Sequence, residues 1–254
     1  MNRRSFTKIG LSSMAAVSAT GSAQAAQPSR YYEYRTYELR NDIEPQRINK
    51  FFSEHMIPEL RKRSSGPVGC FSVTSGFYSP SLSVLIQYES LSRLNSITDL
   101  IASDDSFAKA WRSFETGSGL PYIRYNSSLL KAFEGHPQIE LSPGGKHLFE
   151  LRTYESKDAF DTAAKVEMFN KEEIRIFRDC GMRIVFFGEA MIGSRLPHLT
   201  YMLAWKDMAE REQGWRDFGT NRDWNRIKVV PRWANAVSSI HTSFHRATDY
   251  SEIK

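Results

Sequence analysis

Apolar and polar positions along this chain repeat as a pattern and then repeat again. Residues 31–40 alternate and are rich in Tyr and Thr, which predicts a strand, Tyr31 to Arg40. Ile48, Phe51, Phe52, Met56 and Leu60 follow at helical spacing, with Pro58 expected to kink or end that helix. Two further strands are predicted at Cys70 to Tyr78 and Ser83 to Glu89. A helical region, Leu91 to Phe114, is broken near Asp104, and a last strand runs from Asn126 to Phe133. The second half gives the same series. It has strands His147 to Glu155, Ile184 to Met191, Leu199 to Trp205 and Ala236 to Phe244. Its first helix carries Val166, Phe169, Ile176 and Phe177, and a second helical region, Met208 to Ile227, is broken near Gly219-Thr220.

The two halves align residue by residue. Glu33-Tyr-Arg-Thr-Tyr-Glu38 matches Glu150-Leu-Arg-Thr-Tyr-Glu155 at an offset of 117, which also aligns Phe52 with Phe169, Tyr88 with Trp205 and Phe107 with Trp224. The expected organisation is one unit at 31–134, a Pro- and Gly-rich linker at 135–146 and a second unit at 147–248. Each unit reads β-α-β-β-α-β, the ferredoxin-like order. The predicted fold is therefore α+β: two tandem ferredoxin-like units whose bare sheet faces close on each other as an α/β barrel within one chain.

Composition changes this picture at the N-terminus. Asn2-Arg3-Arg4-Ser5-Phe6-Thr7-Lys8 resembles a twin-arginine export motif, a weakly apolar stretch follows, and Ala23-Gln24-Ala25 has the form of a cleavage site. Residues 1–25 are thus expected to be a signal peptide, with the protein exported to the periplasm or another extracytoplasmic space. The net charge of +5 owes much to this leader; without it 31 basic face 29 acidic residues. With no basic tract interleaved with aromatics, nucleic acid is not an expected partner. No other segment is apolar enough to span a membrane. Cys70 and Cys180 occupy the same place in their units and are expected as small apolar residues rather than a disulfide.

The residues also carry a family resemblance. Glu-x-Arg-x-Tyr in the first strand, the Phe-rich first helix, Phe186-Phe187-Gly188, Gly193 to Met202 and the turn at Asp223-Trp224 are similar to the NIPSNAP family. The resemblance covers residues 31–248 and is closer in the second unit; in the first, Ser-Pro-Ser-Leu-Ser at 79–83 replaces the Arg-Leu-Pro-His segment. It implies the dimeric α/β-barrel fold and brings no family-wide reaction. Related barrels include cofactor-free monooxygenases, lactone isomerases and haem enzymes, but fold does not fix function.

Candidate chemistry follows from strand parity. Glu33, Arg35 and Tyr37 share one face, as do Glu150, Arg152 and Tyr154. With Tyr34, Thr36 and Leu151 facing helices, this charged face is expected to look into the barrel. There Arg35 and Arg152 would bind an anionic or carbonyl group beside the tyrosines, or Glu and Arg would simply pair. Arg195 and His198 flank Pro197 and form either a ligand rim or a capped turn, and Glu189 could serve as an acid or base near them. His55 is expected at a solvated helix edge. His241 and His245 fall on a strand, well apart on one face, which does not suit a shared metal. The five tryptophans are core candidates. The sequence contains no Gly-rich phosphate loop, nucleophile elbow or catalytic cysteine context. No metal or cofactor is expected. Two functions lead, a module that binds a small organic ligand or a partner, and a cofactor-independent enzyme acting on a small aromatic or carbonyl compound; a protein holding a bound cofactor such as haem ranks third. The outer helices leave room for pairing of two such chains.

Overall fold

The first and third strands of each half pair in the same register. In the computed structural model, which describes residues 30–40, 45–76 and 78–254, β1 (Tyr31–Glu38) pairs antiparallel with β3 (Ser81–Tyr88), from Tyr31↔Tyr88 to Glu38↔Ser81. β5 (Leu148–Glu155) pairs with β7 (His198–Trp205), from Leu148↔Trp205 to Glu155↔His198. With β2 (Gly69–Ser75), β4 (Arg124–Ala132), β6 (Arg183–Ile192) and β8 (Ser239–Ala247), the strands close into a barrel ordered β1-β3-β2-β8-β5-β7-β6-β4. The seams between the halves, β2–β8 and β4–β6, both carry register shifts. Closure leaves none of these eight strands an edge open to another chain. The expected leader, residues 1–25, lies outside the described residues.

The helices lie outside the sheet. The first is α1 (Pro45–Phe51), which continues through a π-helical turn, Phe52–Met56, into α2 (Ile57–Arg61). Its counterpart is α5 (Ala159–Met168), a π turn at Phe169–Glu173, and α6 (Ile174–Asp179). Pro58 does not end the helix as the sequence suggests: α2 runs through it. The π turn is not the proline's doing either, since the second half has the same turn with Arg175 in that place. The remaining helices are α3 (Ile97–Ser103), α4 (Asp105–Thr116), α7 (Met208–Thr220) and α8 (Arg222–Ile227). The predicted breaks are real caps. Asp104 accepts from the Phe107 N–H at 3.0 Å, and Asn221 accepts from the N–H groups of Asp223 at 2.8 Å and Trp224 at 3.1 Å.

Three apolar clusters result. One lies under the first half's helices, one under the second's, and one inside the barrel, built from Tyr32, Phe71, Leu85, Phe149, Phe186 and Met202 with their neighbours. The interior cluster fills only one end. That end is plugged by the linker, whose Ile139 N–H donates to Gln87 Oε1 at 2.8 Å, and by the C-terminal segment, whose Ile253 is buried. Cys70 is buried, Cys180 is half-buried, and both are free thiols. No helix among the described residues is long and apolar enough to cross a membrane.

Candidate functional site

Strand parity was read correctly from the sequence, but the choice of face was not. Glu33, Arg35, Tyr37, Glu150, Arg152 and Tyr154 point outward, beneath the helices. Tyr37 packs edge-on against Phe52 at 5.0 Å, and Tyr154 faces the Phe169 ring at 6.3 Å. The physical reason is donor supply. Glu150 is fully buried, and its carboxylate accepts from Arg152 Nη1 (2.7 Å), Arg211 Nη2 (2.8 Å) and Nε (3.1 Å), Trp215 Nε1 (2.9 Å) and Trp205 Nε1 (3.1 Å). Two of those residues, Arg211 and Trp215, stand on α7, so only the helix layer can supply them. Burial alone would raise the Glu150 pKa, but the bonds from Arg211 and Trp215 and the charge of Arg152 outweigh it and hold the carboxyl below its usual range. In the first half Glu33 accepts from Arg35 Nε (2.5 Å), Ser127 Oγ (2.6 Å) and Tyr88 Oη (3.1 Å). The second pair knits sheet to helix, while the first ties β1 to its neighbours β3 and β4; neither forms the wall of a barrel pocket. Glu189 sits half-buried on the outer face of β6, away from the barrel cavity, and His55 is exposed.

The inward face is the other one. Above the apolar plug the barrel opens into a cavity of about 140 Å³, against roughly 10–15 Å³ for a single water. Val73, Leu130 and Leu151 form its apolar floor and sides. Tyr34 and Thr36 enter from β1, Ser83 from β3, Thr153 and Glu155 from β5, His198 and Thr200 from β7, and His241, Ser243 and His245 from β8. Arg195 and Tyr78 reach it from the turns preceding β7 and β3, so two of the eight sequence candidates, Arg195 and His198, belong to this site. Arg195 and Tyr78 stand at equivalent positions of the two halves, and both hold a left-handed backbone, φ 61 and φ 60. A long side chain in that conformation is uncommon and carries local strain. Each is followed two residues later by a cis proline, Pro197 and Pro80. The first half therefore keeps the turn and changes only its side chains, a relation hidden in the sequence by the loss of Arg and His.

The site's polar groups divide into two sets. In the first, Glu155 Oε1 takes a hydrogen bond from Arg195 Nε and lies 2.9 Å from His241 Nε2. The bond from Arg195 holds the Glu155 carboxyl below its ordinary range. Beside it Thr153 Oγ1 and Thr200 Oγ1 meet at 3.0 Å, and Thr200 Oγ1 meets His198 Nδ1 at 3.3 Å. Burial pushes the His198 imidazole below the usual histidine range. In the second set, Tyr34 Oη, Ser83 Oγ and His245 Nδ1 are buried; the Tyr34 and Ser83 hydroxyls face each other, and beyond that contact no described residue meets the three. Ser243 Oγ meets the other ring nitrogen of His245 at 2.7 Å, and burial pushes this imidazole down to about 3, so it is neutral. His241 and His245 share a face, as their spacing implied, but serve different neighbours. The sequence offered one signal for the inner wall: small hydroxyl residues at alternate places on facing strands.

Comparison with known proteins agrees with this architecture. Residues 149–252 match the NIPSNAP family model, and no curated protein matches the chain. A solved candidate monooxygenase from Lactobacillus acidophilus NCFM superposes with a TM-score of 0.53 at 10% identity, over 86% of this chain and 94% of that one. A second candidate monooxygenase, from Fusobacterium nucleatum, gives 0.52 at 8% identity over 86% and 92%. A NIPSNAP family protein of unknown function from Agrobacterium tumefaciens covers 42% of this chain and 94% of its own at 16% identity, with a TM-score of 0.39. At these identities the likeness is one of fold.

Proposed function

We propose that this protein is a NIPSNAP-like α/β barrel that binds a small organic molecule in the mouth of its interior. The observation that carries this reading is the convergence of buried polar atoms on one cavity, where the Tyr34 and Ser83 hydroxyls meet only each other and His245 Nδ1 meets no described group. Leaving a buried donor or acceptor unmet costs about 1–3 kcal/mol each. A cavity that leaves His245 Nδ1 unmet and the two hydroxyls with spare bonding capacity favours a ligand or ordered water that meets them. The wall is rich in neutral hydroxyls, and its Glu155 is already matched by Arg195. A neutral molecule with hydroxyl or carbonyl oxygens and an apolar body suits it better than a strong anion. The reading calls on no metal or cofactor.

The test is native mass spectrometry of protein purified from its own source, with wild type compared with Tyr34→Phe. A retained small molecule, lost or reduced in the variant while the melting temperature holds or rises, is expected. Equal retention in both would refute the assignment of the ligand to this cavity.

A second reading, a cofactor-independent enzyme on the same ligand, draws on the Glu155–His241 contact and on neutral His198 nearby. Such a carboxylate and imidazole could pass a proton to or from a bound carbonyl compound. Conversion of the retained molecule on incubation, abolished by Glu155→Gln, separates the two readings. Two further elements belong to the proposal. The halves are tandem copies of one NIPSNAP-like unit, each standing where a second chain stands in a dimeric barrel. Export of the folded protein by the twin-arginine route, with cleavage after Ala25 and residence outside the cytoplasm, rests on the leader sequence; association of two chains rests on the helical exterior.

A further inference from the structure

The two halves differ beneath their helices. At equivalent places the first half has Ile48, Met56 and Trp111, all buried in its outer core. The second half has Lys165, Glu173 and Lys228, and all three line a cavity of about 280 Å³. In the first half Phe51 stacks on Phe114 at 4.2 Å and meets Trp111 edge-on at 5.5 Å, filling the space. In the second half α8 ends at Ile227, and the chain from Trp233 to Val237 becomes the wall instead. Lys165 Nζ lies 2.6 Å from Glu173 Oε2, and both side chains are buried. The same ammonium lies 4.6 Å from the Phe169 ring and 5.4 Å from the Trp224 ring.

A buried ion pair gains less than the apolar contacts that could replace it, and the first half shows that this fold accepts the apolar solution. Packing does not account for the exchange. The groups around the cavity describe a ligand. Tyr154, Phe218, Trp224 and Trp233 supply flat aromatic walls. Trp233 has a buried indole N–H without a hydrogen-bond partner among the described residues. Lys165 within and Lys228 exposed at the rim give two ammonium groups against the one carboxylate of Glu173. Burial holds the Glu173 carboxyl above its ordinary range, which favours a proton there over a second negative charge. The Tyr201 hydroxyl donates to Tyr154 Oη at 2.7 Å, leaving the Tyr154 proton available to the cavity.

We infer that the second half carries its own binding site beneath its helices, separate from the barrel cavity, for a planar aromatic molecule bearing an acidic oxygen. The ring would lie against the indoles and the oxygen against Lys165 and the Trp233 N–H, with Lys228 drawing the anion in.

The experiment titrates 2-naphthoate into the full chain by calorimetry. Saturable binding is expected, with 2-methylnaphthalene, which lacks the charge, at least tenfold weaker. The double variant Lys165→Ile/Glu173→Met gives the second half the first half's residues. It should weaken naphthoate at least tenfold and keep or raise the melting temperature. Lys228→Trp, a change at an exposed position, should do the same by refilling the space, and it decides the matter if the double variant does not fold. Tyr34→Phe, in the barrel cavity, should leave naphthoate affinity unchanged. Absence of saturable binding, equal affinity for the uncharged compound, equal affinity in a folded cavity variant, or loss of affinity in Tyr34→Phe would each overturn the inference. None of these outcomes bears on whether the barrel cavity retains its own ligand.

Discussion

Glu150→Gln isolates the role of the most heavily bonded carboxylate described. Gln keeps the volume and one acceptor oxygen but removes the charge that compensates Arg152 and Arg211. Arg152 is 13% exposed at its side chain and Arg211 is 21% exposed, so neither can turn fully to water. The new amide also places an N–H₂ where two indole N–H groups now donate. Breaking one partner of a buried ion pair costs about 3–5 kcal/mol. For a chain of this size roughly 1 kcal/mol lowers the melting temperature by about 2–4 °C, so a drop of about 6–20 °C is expected. The pH dependence has a definite sign. Because the folded pKa of Glu150 is depressed, its contribution is fully present above the unfolded pKa and is lost as pH falls through the folded one. The variant should therefore lose less stability than wild type on acidification below about pH 4.3. Calorimetric melts of both proteins from neutral to acid pH read each effect. A shift under about 2 °C, or lost ligand retention at an unchanged melting temperature, would refute the structural role and return Glu150 to the binding groups.

Three further outcomes follow. Asn221→Ala removes the cap of α8 and should cost about 0.5–2 kcal/mol, read by urea denaturation, without altering retention of a barrel ligand. Gly188→Ala places a Cβ 2.8 Å from Leu130 Cβ inside the barrel; a loss of about 1–3 kcal/mol from overpacking is expected, and a neutral result would mean that the β4–β6 seam yields easily. Glu155, held down by Arg195, should keep the barrel mouth unchanged as pH falls through the ordinary glutamate value near 4.3. Ligand retention should drop only below that, whereas Arg195→Ala should move the drop upward; native mass spectra across pH test this.

The sequence by itself determined the order of elements, their offset of 117 and the caps at Asp104 and Asn221. These are local matters: hydrophobic period, turn chemistry and capping residues act within a few positions of each other. It also determined which strand residues share a face, because alternation is a property of the strand alone. Which face looks inward was decided only by tertiary structure. Glu150 lies outside because its hydrogen-bond donors stand on α7, some sixty residues further along the chain, and no pattern within β5 contains that information. The barrel cavity depended on the same decision, since Tyr34 and His245 come from strands 211 residues apart and meet only when the seams close. The exchange of Ile48, Met56 and Trp111 for Lys165, Glu173 and Lys228 was written in the sequence all along. Only packing shows that the three positions surround one space, and that space is what gives the substitutions a chemical meaning.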